Sequence, residues 1–93
     1  MTDKPLTLRT KDKKGYFPKT ELISKFFLHT GNNKIYKVVS YVFHGDTDEW
    51  HILYKNDEGM YCSRTIENFF GKRGTVDRFI QINGTNWFME DDR

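Results

Sequence analysis

The sequence predicts an all-β protein built as one small barrel. Turn signals at residues 31–33, 44–49 and 56–59 separate segments that are rich in β-branched and aromatic residues. Consecutive strands joined by such short turns pair antiparallel. No strand alternates with a long helical pattern, so a parallel α/β sheet is disfavoured. A chain of 93 residues has room for one domain of this kind.

The first part of the chain predicts an arm and a short helix. Residues 1–15 lack apolar periodicity and are dominated by Lys, Asp and Thr, which indicates a flexible basic arm. In residues 16–27, Pro18 and Thr20 are typical of a helix start, and four apolar residues follow at helical spacing. The end of this segment, residues 26–28, fits a strand equally well.

The longest strand is predicted over residues 34–43, "KIYKVVSYVF", directly after the "GNN" turn. Both of its alternating faces carry apolar groups. This pattern is typical of a strongly bent strand in a small barrel, or of a strand covered on both sides. Residues 50–55 and 60–63 supply the next two strands, so the three strands form a meander.

The remaining elements complete the barrel. Residues 66–70 break the strand alternation and predict one helical turn closed by Gly71. Strands are predicted at residues 77–83 and, more briefly, at 86–89. About five antiparallel strands with one helical turn indicate a small SH3-like barrel. The predicted divisions are a basic arm at 1–15, the barrel at 16–89 and an acidic tail at 90–93.

Composition and charge restrict the function classes. Cys62 is the only cysteine, which excludes an intramolecular disulfide and argues against a small secreted scaffold. No apolar run approaches the roughly 20 residues that a membrane helix needs, so we expect a cytoplasmic protein without a membrane partner. The net charge is only +2, because a surplus of +4 in residues 1–20 is offset by −2 in the last ten.

The loop "HGDTDE" at residues 44–49 is the first candidate site. His44 with its neighbouring carboxylates has the ligand types of a cation site, but the spacing fits neither an EF-hand nor a zinc motif. A turn whose Asp and Thr side chains bond local amides explains the same residues. We therefore predict no metal site and no cofactor. Cys62 lacks any nucleophile signature and is expected to be a small core residue, so the chain is not predicted to be an enzyme.

Taken in order, these features resemble a known family. The matching residues are Tyr36, Val38, His44, Asp46, Thr47, Glu49, Tyr54, Gly59, Arg64, Glu67, Phe69, Phe70, Arg78 and Phe79. They resemble the bacterial and phage domain catalogued as domain of unknown function 1653, over about residues 26–82. The chain departs from that pattern at Cys62, where the family has Trp, at Thr65, where it has Pro, and in a shorter loop before Gly59. The resemblance implies an SH3-like barrel of cytoplasmic bacterial or phage origin, and no established activity.

Arg64 matches that family pattern, and two hypotheses stay open for it. Glu67 or Asp46 could hold it in a structural salt bridge that locks the turn. Alternatively, Arg64 faces an anion and grips phosphate or carboxylate with its planar fork. A third hypothesis, that Arg64 and His44 converge in one pocket, would indicate a ligand-binding or catalytic site.

Our first functional hypothesis is a non-catalytic module that binds another protein through an aromatic groove and exposed strand edges. The candidate binding residues are Arg64, His44, Tyr41, Trp50 and Tyr61. Given the phage-rich family, one version is a phage-encoded modulator or inhibitor of a host defence system. Exposed edges also permit a dimer.

The alternative hypothesis is a nucleic-acid-binding barrel, in which surface aromatics stack on bases and the basic arm contacts phosphates. Its candidate contacts are Lys11, Lys13, Lys14, Lys72 and Arg73. The balance of charge in residues 21–83 opposes it, because a dedicated nucleic-acid binder carries a basic face.

Overall fold

A computed structural model describes residues 11–83 of the protein. A five-stranded antiparallel sheet has the order β4-β3-β2-β1-β7, and β5 and β6 form a separate two-stranded sheet. The strands are β1 Phe26–His29, β2 Lys34–His44, β3 Glu49–Asn56, β4 Tyr61–Thr65, β5 Lys72–Arg73, β6 Val76–Asp77 and β7 Phe79–Ile82. One helical turn, α1, spans Ile66–Phe69, and a 3-10 turn spans Thr20–Leu22. The predicted all-β class is confirmed.

The main sheet is open, whereas the sequence predicts a barrel. Within residues 11–83, β4 pairs only with β3 and β7 pairs only with β1. The two edge strands therefore do not close the sheet on itself. Instead, α1 follows β4 directly and packs on the inner face, where its side chains fill the space between the edges. No helix in the described part of the chain has the length and apolar character of a membrane span.

The short helix predicted over residues 16–27 is not formed, and the alternative strand is correct from Phe26 onward. Ser24 lies in the left-handed region with φ +73°, which ends any right-handed helix at that position. Its N–H donates to the Val38 carbonyl at 2.8 Å, and the Val38 N–H donates to the Lys25 carbonyl at 2.9 Å. These bonds extend the β1–β2 ladder, so sheet pairing overrides local helix propensity.

A bulge in β2 explains why both of its faces are apolar. The register between β2 and β3 shifts between Val38 and Ser40. Val38 and Tyr41 therefore both point inward, at 1% and 6% exposure, although they are three residues apart. An extra residue in one strand bends it and increases its twist. The bend wraps the sheet around a shared core.

The core is aromatic and centres on α1. Phe69 is fully buried and stacks on Phe79 at 4.0 Å between ring centroids, while Phe27 meets it edge-on at 5.1 Å. Thr65 caps α1 by accepting the Asn68 N–H at 3.1 Å. The core residues are Phe27, Tyr36, Val38, Tyr41, Trp50, Ile52, Tyr54, Ile66, Phe69 and Phe79. Large rings thus compensate for the small size of the domain.

Residues 11–15, assigned from sequence to the flexible arm, are bound to the start of β3. Asp12 is buried, and its carboxylate accepts the N–H groups of Lys14 and Tyr16 at 2.9 Å each and of Trp50 at 3.3 Å. The Lys13 N–H also donates to the Asp48 carbonyl at 3.1 Å. The rest of the arm, the strand predicted at 86–89 and the acidic tail at 90–93 lie outside the described residues.

Candidate functional site

A concave surface of about 380 Å³ lies between residues 15–19 and the helical turn α1. Its apolar lining consists of Tyr16, Phe17, Tyr41, Ile66 and Phe70, which we call the aromatic groove. Three of these rings are partly open to solvent: Tyr16 at 38%, Phe17 at 47% and Phe70 at 45% exposure. The groove brings two segments about 50 residues apart onto one surface.

Tyr41 is the one residue of the groove that the sequence predicts as a binding residue. It lies on the inner face of β2, and its hydroxyl donates to the Lys19 carbonyl at 2.8 Å. Burial raises the Tyr41 pKa, the bond to Lys19 opposes this, and the negative charge of Glu21 adds to it. Tyr41 therefore ties residues 15–19 to the sheet and holds the groove open. Sequence reasoning missed Tyr16, Phe17 and Phe70, although "YF" and "FF" doublets mark all three.

Lys14 fixes the other side of the groove. Its ammonium lies 2.9 Å from a Glu67 carboxylate oxygen on α1 and 3.1 Å from one of Glu49 on β3. The hydrogen bonds that Lys14 donates, first to Glu67 and then to Glu49, raise the Lys14 pKa above its usual range. The hydrogen bond that Glu49 accepts from Lys14 lowers the Glu49 pKa. Lys14 therefore bridges two acidic residues. Their carboxylates compensate the positive charge with which the nucleic-acid hypothesis expects Lys14 to contact phosphate.

The other predicted phosphate contacts differ in whether a carboxylate pairs with them. Lys72 pairs with Asp77 across the β5–β6 sheet at 2.8 Å. Lys11, Lys13 and Arg73 are exposed, and no carboxylate within residues 11–83 pairs with them. Lys14, Lys72 and Arg78 share a polar depression of about 410 Å³, but two of these three cations are already ion-paired.

Arg64 is held by uncharged oxygens, and neither predicted carboxylate partner contacts it. Its Nε donates to the Tyr54 hydroxyl at 2.8 Å and its Nη1 to Asn68 Oδ1 at 2.6 Å. The guanidinium carbon lies 5.7 Å from the centroid of Phe79. Burial raises the Tyr54 pKa, and the bond from Arg64 opposes this. The salt bridge to Glu67 or Asp46 is therefore not formed, and no carboxylate of residues 11–83 pairs with Arg64.

Two more arginines lie near Arg64, and we call the set Arg64, Arg73 and Arg78 the arginine cluster. Arg78 Nε donates to the backbone carbonyl of Asn68 at 3.1 Å, so Asn68 accepts from both Arg64 and Arg78. The Arg73 Nε lies close to Gly31, next to the ring of His29. The pKa of His29 is lowered by burial first and then by the positive charges of all three arginines.

Arg64 and His44 do not share a pocket. Arg64 pairs with Ile52 and His44 pairs with Glu49, and these two partners are three residues apart on β3. Side chains alternate along a strand, so Arg64 lies on the inner face and His44 on the outer face. The hypothesis of a site that combines Arg64 with His44 is therefore wrong.

On the outer face, His44 stacks on His51 with ring centroids 3.7 Å apart. The pKa of His51 is lowered by burial and by the positive charge of His44, against the attraction of Glu49. Residues 45–48 form the turn between β2 and β3, with Asp48 at φ +54°. Within residues 11–83, no group of three metal-binding side chains is present.

Trp50 and Tyr61, the remaining candidate binding residues, differ in exposure. Trp50 is 2% exposed, meets Phe43 edge-on at 5.0 Å and belongs to the core, so its prediction as a surface contact is wrong. Inward-facing positions on β3 are covered by α1 and by residues near Asp12, which local sequence does not indicate. Tyr61 is 56% exposed on the outer face, with the Lys55 ammonium 6.0 Å from its ring.

No protein-family model, curated protein or solved structure matches the chain. The resemblance to domain of unknown function 1653 therefore stays a prediction that rests on the motif residues alone.

Proposed function

We propose that the protein is a non-catalytic interaction module that receives an apolar side chain of a partner protein in the aromatic groove. The observation that carries this proposal is the groove itself, a concavity of about 380 Å³ with three partly exposed rings. Recognition sites for small groups occupy roughly 300–1,000 Å³ and are mostly apolar with a few polar atoms. The groove lies at the lower end of that range, which suits one or two inserted side chains.

Contacts on both sides connect the groove to the sheet and to α1, which favours binding. The Tyr41 bond to Lys19 fixes residues 15–19, and the contacts of Lys14 with Glu49 and Glu67 join that segment to β3 and α1. A preformed groove loses little conformational entropy on binding. Each Å² of apolar surface removed from water contributes about 25 cal/mol. Aromatic side chains are also enriched at the centres of protein interfaces.

The charges around the groove favour a particular partner chemistry. The Lys11 ammonium lies 5.9 Å from the Phe17 ring, and Lys19 lines the groove. Neither lysine pairs with a carboxylate of residues 11–83, whereas Glu67 is already neutralised by Lys14. The occupant we propose is therefore a partner segment with a large apolar side chain next to an Asp or Glu.

The test is an affinity capture from nuclease-treated lysate with the full chain and two variants. Phe17→Ser removes an exposed groove ring, and Met60→Ser, at a residue 61% exposed in the turn before β4, is the matched control. A partner that is captured by the wild type and by Met60→Ser, but lost with Phe17→Ser, supports the proposal. Equal capture by all three proteins contradicts it.

The captured protein also decides the finer hypotheses. The version in which a phage-encoded protein inhibits a host defence system is supported if the partner belongs to such a system. Capture that disappears with nuclease and falls steeply with salt supports the nucleic-acid alternative instead. That alternative draws on exposed Lys11, Lys13, Arg73 and Tyr61, which do not lie on one described face.

A further inference from the structure

We propose that the arginine cluster, Arg64, Arg73 and Arg78, is a binding site for a phosphate-type dianion. The site is separate from the aromatic groove and does not depend on the proposed interaction function. Its arginines come from three different elements: Arg64 from β4, Arg73 from β5 and Arg78 from the residue before β7. Asn68 of α1 accepts from both Arg64 and Arg78, and Arg73 lies beside His29.

Contacts with Phe79, Asn68 and Gly31 link the three side chains through shared neighbours. The Arg64 guanidinium carbon is 5.7 Å and the His29 ring 4.8 Å from the Phe79 centroid. Arg78 directly precedes Phe79 in the chain. A Cβ built on Gly31 would lie 3.3 Å from Arg73 Nε and 2.8 Å from His29 Cε1, so Arg73 and His29 converge at one point.

Hydrogen bonds orient two of the three arginines, and these bonds do not neutralise their charge. Arg64 donates to Tyr54 and to Asn68 Oδ1, and Arg78 donates to the backbone carbonyls of Asn68 and Lys72 at 3.1 and 3.4 Å. These acceptors carry no charge, and a guanidinium has further N–H donors beyond the two used here. Among residues 11–83, no carboxylate pairs with any of the three arginines.

Such an arrangement favours a ligand with several oxygens and more than one negative charge. Guanidinium groups recognise phosphate through paired N–H···O bonds, which are stronger than bonds between neutral groups. A single carboxylate would leave most of the positive charge uncompensated, whereas a phosphate monoester at neutral pH carries close to two charges. His29 is ordered at the edge of the site, because its Nδ1 accepts the N–H groups of Gly31 and Asn32 at 3.1 and 3.3 Å.

The first experiment is an NMR titration of the labelled full chain with inorganic phosphate, at ionic strength held constant with sodium chloride. We expect saturable shifts of the Gly31 and Asn68 amides with phosphate and none with chloride alone. Arg73→Gln, at an exposed residue with no described acceptor, should weaken phosphate binding by about tenfold, the usual scale for a charged hydrogen bond. Lys25→Gln, which removes one charge at the other end of β1, is the matched control and should change affinity by less than about twofold.

One further variant and one further anion make the result decisive. Arg64→Lys keeps the charge but loses the planar fork, so it should also weaken binding while the spectrum outside the cluster stays unchanged. Linear shifts without saturation, or equal losses in Arg73→Gln and Lys25→Gln, would overturn the proposal. Acetate that binds as tightly as phosphate would also overturn it, since a monoanion then suffices.

The source of the phosphate is distinguished by adenosine 5′-monophosphate and by a single-stranded oligonucleotide with and without a 5′-phosphate. Binding of the mononucleotide, or oligonucleotide binding that requires the terminal phosphate, supports the monoester site. Oligonucleotide binding that is indifferent to the terminal phosphate overturns it in favour of backbone contacts.

Discussion

Two cationic sites flank α1, and the structure holds them in opposite ways. Lys14 lies between the carboxylates of Glu49 and Glu67, so its charge is compensated within the domain. Arg64 donates to a hydroxyl and an amide oxygen, and no carboxylate among residues 11–83 pairs with it. The difference separates a cation that builds the fold from one that is available to a ligand.

The largest loss of stability is expected when Asp12 is replaced, because its carboxylate anchors the segment that contains Lys14. Asp12→Ala removes a buried carboxylate that accepts three backbone N–H groups, including that of Trp50 on β3. Bonds to a charged acceptor and an N–H left without a partner are costly, so we expect a loss of roughly 3 kcal/mol in the free energy of unfolding. Urea denaturation measures it. Asp46→Ala, in the exposed β2–β3 turn, is the control and should change little.

The same carboxylate has a defined pH dependence. Burial would raise the Asp12 pKa, but hydrogen bonds from the N–H groups of Tyr16, Trp50 and Lys14 bring it below its usual value. A carboxyl group with a lowered folded pKa stabilises the fold above its unfolded pKa of about 3.9, and this contribution is lost as the pH falls through the folded pKa. The difference in stability between the wild type and Asp12→Ala should therefore shrink below about pH 4. A difference that stays constant from pH 7 to pH 2 would contradict this account.

A moderate effect is expected on the arginine side. Tyr54→Phe removes the hydroxyl that accepts from Arg64 Nε at a residue only 3% exposed. We expect a loss of about 1–2 kcal/mol, because the guanidinium loses a hydrogen bond in a partly buried position. Phosphate binding should weaken as well, since Arg64 is no longer oriented. Tyr61→Phe, at 56% exposure, is the control, and an equal loss there would show that the hydroxyl of Tyr54 has no special role.

A smaller effect is expected for Lys14→Gln, since the Lys14 ammonium is well exposed and surface ion pairs contribute little. The loss should be less than for Tyr54→Phe and should diminish in high salt. Lys13→Gln is the neighbouring control, because Lys13 makes its described contact through the backbone. If Lys13→Gln and Lys14→Gln destabilise equally, the ion pairs of Lys14 with Glu49 and Glu67 do not contribute to the free energy of unfolding.

The local parts of this fold are the ones that sequence predicts. The β2 strand follows from its β-branched and aromatic residues, and the turns at 31–33 and 45–48 follow from Gly and Asn or Asp. The predicted helix over residues 16–27 fails because Ser24 adopts a left-handed conformation set by pairing with β2. A contact of that kind depends on residues far along the chain, which periodicity does not report.

The candidate sites are harder to predict for the same reason. The groove unites residues 15–19 with α1, and the arginine cluster unites β4, β5 and the start of β7. Arg64 stands out in the sequence, but its partner Tyr54 lies on the neighbouring strand and Arg78 lies beyond two further strands. Trp50 shows the converse, because an aromatic residue that looks suitable for binding is buried in the core, where Asp12 accepts its N–H and Phe43 packs on its ring.

The smallest effect is expected at His29, whose pKa tests directly whether a ligand compensates the charge of the arginine cluster. Its pKa is lowered by burial and then by Arg64, Arg73 and Arg78, with Lys34 opposite it on β2. A histidine with a lowered folded pKa stabilises the fold more above its unfolded pKa of about 6.5 than below it, so stability is lost as the pH falls through that region. Phosphate at the cluster would compensate the arginines and raise the His29 pKa, while the effect of burial remains.

The His29 titration can be followed by the NMR signal of its ring Cε1–H, with and without phosphate at constant ionic strength. His51 is the internal control, because its pKa is lowered by burial and by His44 on the outer face, away from the arginines. We expect phosphate to raise the pKa of His29 and to leave that of His51 unchanged. Equal shifts at both histidines would indicate general screening, and no shift at His29 would mean that the arginines hold no dianion. Either result would remove the distinction between the two cationic sites.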